Sequence, residues 1–300
     1  MKKKTYLFAL MAMALTLGSC SDNENGIGGE TSKYITVSTS IGNMTRVATD
    51  ANGAQTFEEG DEISVYAWTG APTVAPETSE RVVNNAINKL TNGSWVATPQ
   101  MLWKNNRDKH YFIGVYPVSA ISDLSAGEYT FDETKQVESD LLVAVNKDGL
   151  SYNVDEQQPV PLTFTHVMAK LVVNLTYKNQ WGGIPTVEKV VVGNAAKEAT
   201  INYLTKVVTP STTAKEDFSL PEITENTKYV SVIIPQEDVK QLTIVIGGKN
   251  FVYDNGTPFK LESGKITTVN LEVGRDEIKL GDVKITDWEN GSTFSGEALN

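Results

Sequence analysis

Apolar and polar residues alternate in short runs along most of the chain, and this pattern restricts the fold more than any other feature of the sequence. Side chains of a β-strand point alternately to its two faces, so a period of two is typical of a strand with one buried face. The clearest runs are YITVSTSIG from residue 34, DEISVYAW from 61, YVSVIIP from 229, QLTIVIGG from 241 and KITTVNLEVG from 265. The alternation therefore predicts a chain built almost entirely of β-strands.

Dipeptides typical of tight turns separate these runs. They are Asn52-Gly53, Asn92-Gly93, Asp148-Gly149, Gly182-Gly183 and Asn255-Gly256. Many short strands with turns between them predict antiparallel β-sandwiches and not a fold of alternating strands and helices. The segment SERVVNNAINKL, residues 79–90, has apolar residues at helical spacing. Its three asparagines and its β-branched residues favour a strand or a loop instead.

We predict two tandem β-sandwich domains of similar size, residues 34–159 and 160–300. The boundary near Pro159 follows from the polar stretch NVDEQQPVP, which begins at residue 153. Directly after it comes the most apolar run of the mature chain, PLTFTHVMAKLVVNLTY. A long strand of this kind either closes the first sandwich or opens the second.

The buried parity changes within that apolar run. Leu162 and Phe164 share one face of an extended chain, whereas Leu171 and Val173 have the opposite parity. Because a shift of one residue turns every side chain to the other face, the run requires a bulge or a twist near residues 167–169.

The first nineteen residues have the features of a secretory signal peptide. Three lysines follow the initial methionine, the next thirteen residues, TYLFALMAMALTL, carry no charge, and a small Gly-Ser pair ends the segment. An apolar run of this length is too short for a spanning helix, which needs about 20 residues. We therefore predict that residues 1–19 are a lipoprotein signal peptide that is removed during export.

Cys20 is the only cysteine of the chain. The sequence Leu-Gly-Ser-Cys that ends at this residue resembles the bacterial lipobox, which implies cleavage before Cys20 and lipid attachment to its thiol. Ser21, rather than Asp, resembles a signal for the outer membrane, and the acidic residues after it resemble cell-surface export signals. The polar residues 20–33 read as a flexible tether between the lipid and the first strand.

Charge and motifs exclude several classes of function. The net charge is −11, and it becomes three units more negative when the signal peptide with its three lysines is removed. Such a chain repels nucleic acid, so we expect no nucleic-acid partner. The lone cysteine permits no intramolecular disulfide, and two histidines without a second cysteine support no His/Cys metal site. No GxSxG, HExxH, Walker or EF-hand pattern is present, so we predict no catalytic residue, no cofactor and no metal ion.

A few residues leave alternatives open. His166 lies in an apolar run and is interpreted as a hydrogen-bonded core residue rather than a base, and His110 is placed at the entrance of a strand. The acidic segments FEEGDE and FDETKQVESD leave a glycosidase pair of carboxylates open, since spacing alone does not give their separation. The five tryptophans fit either packing in the core or stacking on sugars, and packing is the commoner role.

Several stretches together resemble the fimbrillin family, the Mfa-like pilin and pilus-tip lipoproteins of type V pili. They are the lipobox Cys20, a first strand followed by Thr45-Arg46, FEEGDEISVYAW, NGSWVATPQMLW continuing to HYFIGVYP, DLLVA, LTFTHVMAKLVV and the ending VKITDWENG. The stretches occur in the order of the family and cover almost the whole mature chain.

The resemblance implies two transthyretin-like, Greek-key β-sandwich domains and a structural or adhesive role without catalytic residues. It implies a subunit of a cell-surface fimbrium, anchored in the outer membrane through Cys20 and assembled with other pilus subunits, with a host glycan or protein as receptor. The first alternative is a surface lipoprotein that binds a glycan or host protein and never polymerises. The second alternative is a periplasmic or surface hydrolase.

Arg46 is the candidate processing site. It follows the predicted strand over residues 34–41 among small and polar residues, which by themselves favour a solvated loop charge. The resemblance implies another role, because pilins of this kind lose their first strand when an arginine-specific protease cuts after such a residue. Cleavage there would release the subunit from its lipid and open a groove for a strand of a neighbouring subunit.

Overall fold

The computed structural model describes residues 33–42, 56–152 and 158–288. The strands in these ranges are β1 Val37–Ile41, β2 Glu62–Thr69, β3 Val83–Thr91, β4 Ser94–Thr98, β5 His110–Tyr116, β6 Gly127–Thr130, β7 Leu142–Leu150, β8 Val160–His166, β9 Ala169–Tyr177, β10 Val187–Ala196, β11 Glu198–Asn202, β12 Val207–Pro210, β13 Lys215–Leu220, β14 Glu222–Thr224, β15 Lys228–Ile233, β16 Gln236–Ile246, β17 Lys249–Leu261, β18 Lys265–Val273 and β19 Ile278–Asp287. Two short 3-10 turns, Thr78–Glu80 and Asn179–Trp181, are the helical elements of the described chain. The chain is thus all-β, as the alternation predicts.

The largest sheet has seven strands in the order β1-β8-β7-β5-β2-β3-β4. Its strands pair antiparallel except for β1 and β8, which run parallel with Val37 opposite Val160 and Ile41 opposite Phe164. A parallel partner cannot be joined by a tight hairpin, so β1 reaches its place through a long connection. β1 is therefore an edge strand whose partner, β8, lies far away in the sequence.

Three further sheets are formed by the described residues. They have the orders β13-β10-β16-β17, β12-β11-β6 and β14-β15-β9-β18-β19. The pair β9 and β18 is parallel, and the other pairs of these sheets are antiparallel.

Two clusters of buried side chains form the core. The smaller cluster lies on one face of the seven-stranded sheet and includes Ile35, Val65 and Phe164. The larger cluster includes Tyr66 and Trp68 from the opposite face of that sheet, together with buried residues of the sheets that follow. β2 and β5 are buried on both faces, and because successive side chains of a strand point to opposite faces, each of the two strands supplies side chains to both clusters.

Residues 79–90 do not form a helix. The 3-10 turn ends at Glu80, and β3 begins at Val83. Most of the segment is therefore a strand, which confirms the interpretation as a strand rather than a helix. Val83, Ala86 and Asn88 of β3 are buried, and Val83 and Ala86 belong to the smaller core cluster. Pairing with β2 and β4 outweighs the helical spacing of the apolar residues, whose intrinsic helix propensity is weak.

The apolar run after Pro159 forms two strands, so the expectation of one long strand was wrong. β8 ends at His166 and joins the seven-stranded sheet, whereas β9 begins at Ala169 and joins the five-stranded sheet. The predicted irregularity near residues 167–169 is the point where the chain passes between sheets. The change of parity therefore reflects a change of partner strands rather than a bulge within one strand.

The division into residues 34–159 and 160–300 stays a prediction. Strands from the two ranges share sheets, because β8 pairs with β7 and β1, and β11 pairs with β6.

Candidate functional site: the first strand and its groove

The first strand alternates in burial as its sequence predicts. Ile35, Val37 and Ile41 are 1%, 6% and 8% exposed, whereas Tyr34 is 49% exposed. The three buried side chains belong to the smaller core cluster. The segment is therefore anchored by one apolar face, and its other face points away from that core.

Main-chain hydrogen bonds hold this segment on both sides. On one side β1 pairs with β8, and the Gly42 amide donates to the carbonyl oxygen of Phe164 at 2.8 Å. On the other side the Ile35 amide donates to the Met101 carbonyl oxygen at 2.9 Å, and the Trp103 amide donates to the Lys33 carbonyl oxygen at 3.1 Å. Residues 33–41 thus bridge the β8 edge and the segment that follows β4.

Side chains add two further links. The Trp95 indole donates its Nε1 hydrogen to Thr39 Oγ1 at 3.0 Å, which connects β4 with β1. The Ser40 hydroxyl donates to Thr163 Oγ1 at 3.2 Å across the parallel pair. β1, at one end of the seven-stranded sheet, is therefore tied both to its neighbour β8 and to β4 at the other end of the sheet.

The surface beneath this segment is apolar. We call it the first-strand groove and define it by Met101, Leu162 and Phe164 together with the main-chain edges of β8 and of residues 101–103. The three side chains are at most 2% exposed, and Phe57 packs against Phe164 with ring centroids 5.1 Å apart. Without residues 33–41 the groove would expose apolar side chains and unpaired main-chain groups at once, a surface that binds another strand.

The two predicted modification residues lie outside the described residues. Cys20 belongs to the range before residue 33, and Arg46 belongs to the range 43–55. Sequence reasoning placed the first strand correctly but missed the pairing of residues 33–35 with 101–103. The only signal for that pairing is the apolar run MLW at residues 101–103, which gives no partner.

His110 stands at the first position of β5, as expected. Its ring is fully buried, its Nδ1 lies 3.0 Å from the Asp108 carbonyl oxygen, and the Lys104 amide lies 3.1 Å from its Nε2. Burial lowers the pKa of this imidazole. Hydrogen bonds to the main chain at both nitrogens indicate a structural role at the strand entrance.

His166 is also buried in a network of its own. Its Nδ1 lies 2.8 Å from Asp140 Oδ1, and its ring stacks on Trp288 with centroids 4.0 Å apart and an interplanar angle of 6°. Lys170 Nζ lies 5.0 Å from the centre of the same indole, and burial lowers the pKa of this lysine to about 8. The interpretation of His166 as a hydrogen-bonded core residue agrees with these contacts.

Most tryptophans pack rather than protrude. Trp68 and Trp288 are 2% and 8% exposed, and Trp95, Trp103 and Trp181 are partly buried. In the described ranges no group of three or more His, Cys, Asp or Glu residues is placed to hold a metal ion. None of the helical elements described has the length and apolar character needed to cross a membrane.

Comparisons with known proteins agree with the architecture. A family model described as fimbrillin-like matches residues 45–288. A proposed cell adhesion protein from Bacteroides ovatus ATCC 8483 is similar with a TM-score of 0.65 at 18% identity, covering 86% of this chain and 98% of that one. A second, from Bacteroides uniformis ATCC 8492, has a TM-score of 0.64 at 18% identity and covers 86% of this chain and 100% of that one.

A fimbrial protein from Bacteroides vulgatus ATCC 8482 is similar with a TM-score of 0.52 at 13% identity, covering 85% of this chain and 99% of that one. Comparison with curated proteins gave no significant match. At these identities the solved structures show a shared fold.

Proposed function

Because the chain belongs to the fimbrillin-like family, we propose that it is a structural and adhesive subunit of a cell-surface fimbrium. The observation that carries this proposal is the family match over residues 45–288. The all-β fold and the similarity to cell adhesion and fimbrial proteins support it. A non-enzymatic role is consistent with the two histidines, which are both held by hydrogen bonds within the fold.

The proposed subunit is exported as a lipoprotein and anchored in the outer membrane through Cys20. The basic start, the short apolar run and the lipobox-like ending support this route. Burial of acyl chains contributes about 0.8 kcal/mol per CH₂ group, so a multiply acylated residue stays on the bilayer.

The proposed assembly step is cleavage after Arg46, loss of the first strand and its replacement by a strand of a neighbouring subunit. The first-strand groove supports this step, because residues 33–41 lie entirely before the cleavage point and hold both edges of the groove. Each of Ile35, Val37 and Ile41 contributes roughly 1.5–3 kcal/mol by burial. An incoming strand recovers this energy only if it offers apolar side chains at alternate positions.

The test uses the mature chain without residues 1–19, digested with an arginine-specific protease. We expect a new N-terminus at Val47 and a ladder of multimers on a gel loaded without boiling. The Arg46→Ala variant is expected to stay monomeric. Arg107→Ala is the matched control, because Arg107 is exposed in the loop before β5 and its loss leaves cleavage after Arg46 intact.

A synthetic peptide with the sequence YITVSTSIG provides the second arm. Added during digestion, it is expected to occupy the groove and to reduce the ladder, whereas the same peptide with Asp at the positions of Val37 and Ile41 has no effect. A chain that is cut after Arg46 and remains a monomer would refute strand exchange. That outcome would support the alternative, a surface lipoprotein that does not polymerise.

A further inference from the structure

A cleft opens near the end of β2, beside residues 102–103, which also border the first-strand groove: the Trp103 amide donates to the Lys33 carbonyl oxygen, and Leu102 pairs with Tyr34. Its walls come from the end of β2 and the loop after it, from the turn Thr78–Glu80 and from residues 102–104, and its volume is about 770 Å³. Val74 and Leu102 line it with side chains that are 62% and 49% exposed. The partly buried indole of Trp103 lies beside them. A volume of this size suits a ligand of one or two sugar rings.

The cleft carries positive charge on a protein that is strongly acidic. Lys104 and Arg81 line it, and neither forms a salt bridge with a carboxylate of the described residues. Lys104 Nζ instead donates to the hydroxyl of Thr69, which also lines the cleft, at 3.3 Å. A lysine with only a neutral partner retains its capacity to pair with an anion.

Arg81 makes the wall rigid. It is 9% exposed, and its Nη1 donates to the Ile121 carbonyl oxygen at 2.7 Å and to Asn84 Oδ1 at 2.9 Å. Its buried Nε has no hydrogen-bond partner among the described residues, and its pKa is lowered by burial. A fixed and incompletely satisfied guanidinium adds a positive potential that needs no rearrangement when an anion arrives.

One carboxylate faces the same space. Glu80 lines the cleft, and its Oε2 accepts a hydrogen bond from the Glu77 amide at 3.3 Å. A ligand that carried only a carboxylate and an alkyl chain would meet this group without offering it a donor. A hydroxyl-bearing ligand donates to it instead.

We propose that this cleft binds a sugar that carries a carboxylate group. The carboxylate pairs with Lys104, the hydroxyl groups bond to Glu80 and Ser79, and the apolar face of the ring lies against Leu102 and Trp103. The inference deepens the proposed adhesive role and rests on it, since it assigns the class of receptor to a surface protein.

The test is a titration of the mature chain with glucuronate, in which binding is monitored by tryptophan fluorescence and by saturation-transfer NMR. We expect saturation below about 10 mM and weaker binding as ionic strength rises. Lys104→Gln is expected to weaken binding about tenfold. Lys109→Gln is the matched control, because Lys109 is exposed in the same loop, bonds to the Asp148 carbonyl oxygen and does not line the cleft.

Two competing ligands complete the design. Glucose, which lacks the carboxylate, and hexanoate, which lacks the hydroxyl groups, are each expected to bind at least tenfold more weakly than glucuronate. Equal binding of either ligand, or unchanged glucuronate binding by Lys104→Gln, overturns the proposal. The digestion ladder of the same preparation keeps the two proposals separate, because a chain that polymerises without binding glucuronate refutes only the cleft.

Discussion

Gly114 and Phe164 show how closely the first-strand groove is packed. A Cβ atom at residue 114 would lie 2.6 Å from Phe164 Cζ and 3.1 Å from Leu162 Cδ1. Because both side chains are buried, they have little room to move, and we expect Gly114→Ala to lower the free energy of unfolding by about 1–3 kcal/mol. Urea denaturation measures this cost.

Phe164→Leu provides the paired variant, since leucine lacks the ring atom that the new Cβ meets. We expect the double variant to lose less unfolding free energy than the two single variants lose together, with a coupling energy of about 1 kcal/mol. Ile244→Val, in β16, is the control partner for Gly114→Ala, and its cost should be additive. Full additivity of Gly114→Ala with Phe164→Leu would contradict the close contact.

Lys170 gives the stability a pH dependence. Its folded-state pKa is lowered to about 8 by burial, while the unfolded chain has the ordinary value near 10.5. Between these values the unfolded state binds more protons, so the contribution of Lys170 to stability rises with pH from about 8 towards 10.5. Below pH 8 Lys170 is charged in both states, and the cost of burying its charge lowers the stability by its full amount.

We therefore expect Lys170→Met to flatten the curve of unfolding free energy against pH between 8 and 10. Urea denaturation at several pH values in this window gives the curves. Lys249→Met is the control, because this lysine is exposed on β17 opposite Ile246, it is not among the charges that act on Lys170, and its loss should leave the slope in place. Parallel curves for the wild type and Lys170→Met would show that the buried lysine does not titrate in this range.

At the scale of elements, the sequence predicts the strands better than their partners. Alternation places β1, β16 and β18, because one buried face is a local property of each strand. The parallel pairing of β1 with β8 depends on residues more than a hundred positions apart, and no turn signal fixes such a register. For the same reason the split of the apolar run into β8 and β9 was missed.

The last described strand, β19, is an edge strand that pairs only with β18 and is mostly exposed. The residue after it, Trp288, is 8% exposed, stacks on His166 and donates its amide hydrogen to the Gly264 carbonyl oxygen at 3.0 Å. A strand with few buried contacts of its own depends on this attachment.

We expect Trp288→Ala to increase hydrogen exchange of the β19 amides while the amides of β10, a central strand, keep their protection. Native-state hydrogen exchange followed by mass spectrometry resolves the two strands. His166→Phe is the matched variant, since it keeps an aromatic ring beneath Trp288 and should preserve most of the protection. Unchanged exchange of β19 in Trp288→Ala would show that pairing with β18 is sufficient.

At the scale of the whole molecule, the sequence predicts that the candidate site contains a strand with one apolar face, but it does not predict which strands and loops surround it. The alternation in residues 34–41 predicts a strand with one apolar face, and the structure shows which two edges that strand covers. The cleft at Lys104 had no sequence signal, because its walls come from three separate segments. Such a site exists only after distant segments are brought together by folding.

The larger core cluster joins residues from both predicted domains. Tyr66, Ile113 and Val143 belong to it together with Val190 and Ile244. Because these side chains lose their contacts together, we expect urea unfolding of the mature chain to be a single transition, coincident by near-ultraviolet and far-ultraviolet circular dichroism.

Two fragments extend this prediction to the boundary near Pro159. The fragment of residues 33–159 lacks β8, so it loses the partner of β7 and β1 and the buried side chain of Phe164. The fragment of residues 33–166 retains that strand, but it still exposes the face of Tyr66 and Ile113 that packs in the larger cluster. We expect the shorter fragment to be unfolded and the longer one to be compact but aggregation-prone, as measured by amide chemical-shift dispersion and size-exclusion chromatography. A shorter fragment with a dispersed spectrum and its own cooperative transition would establish residues 34–159 as an independent domain.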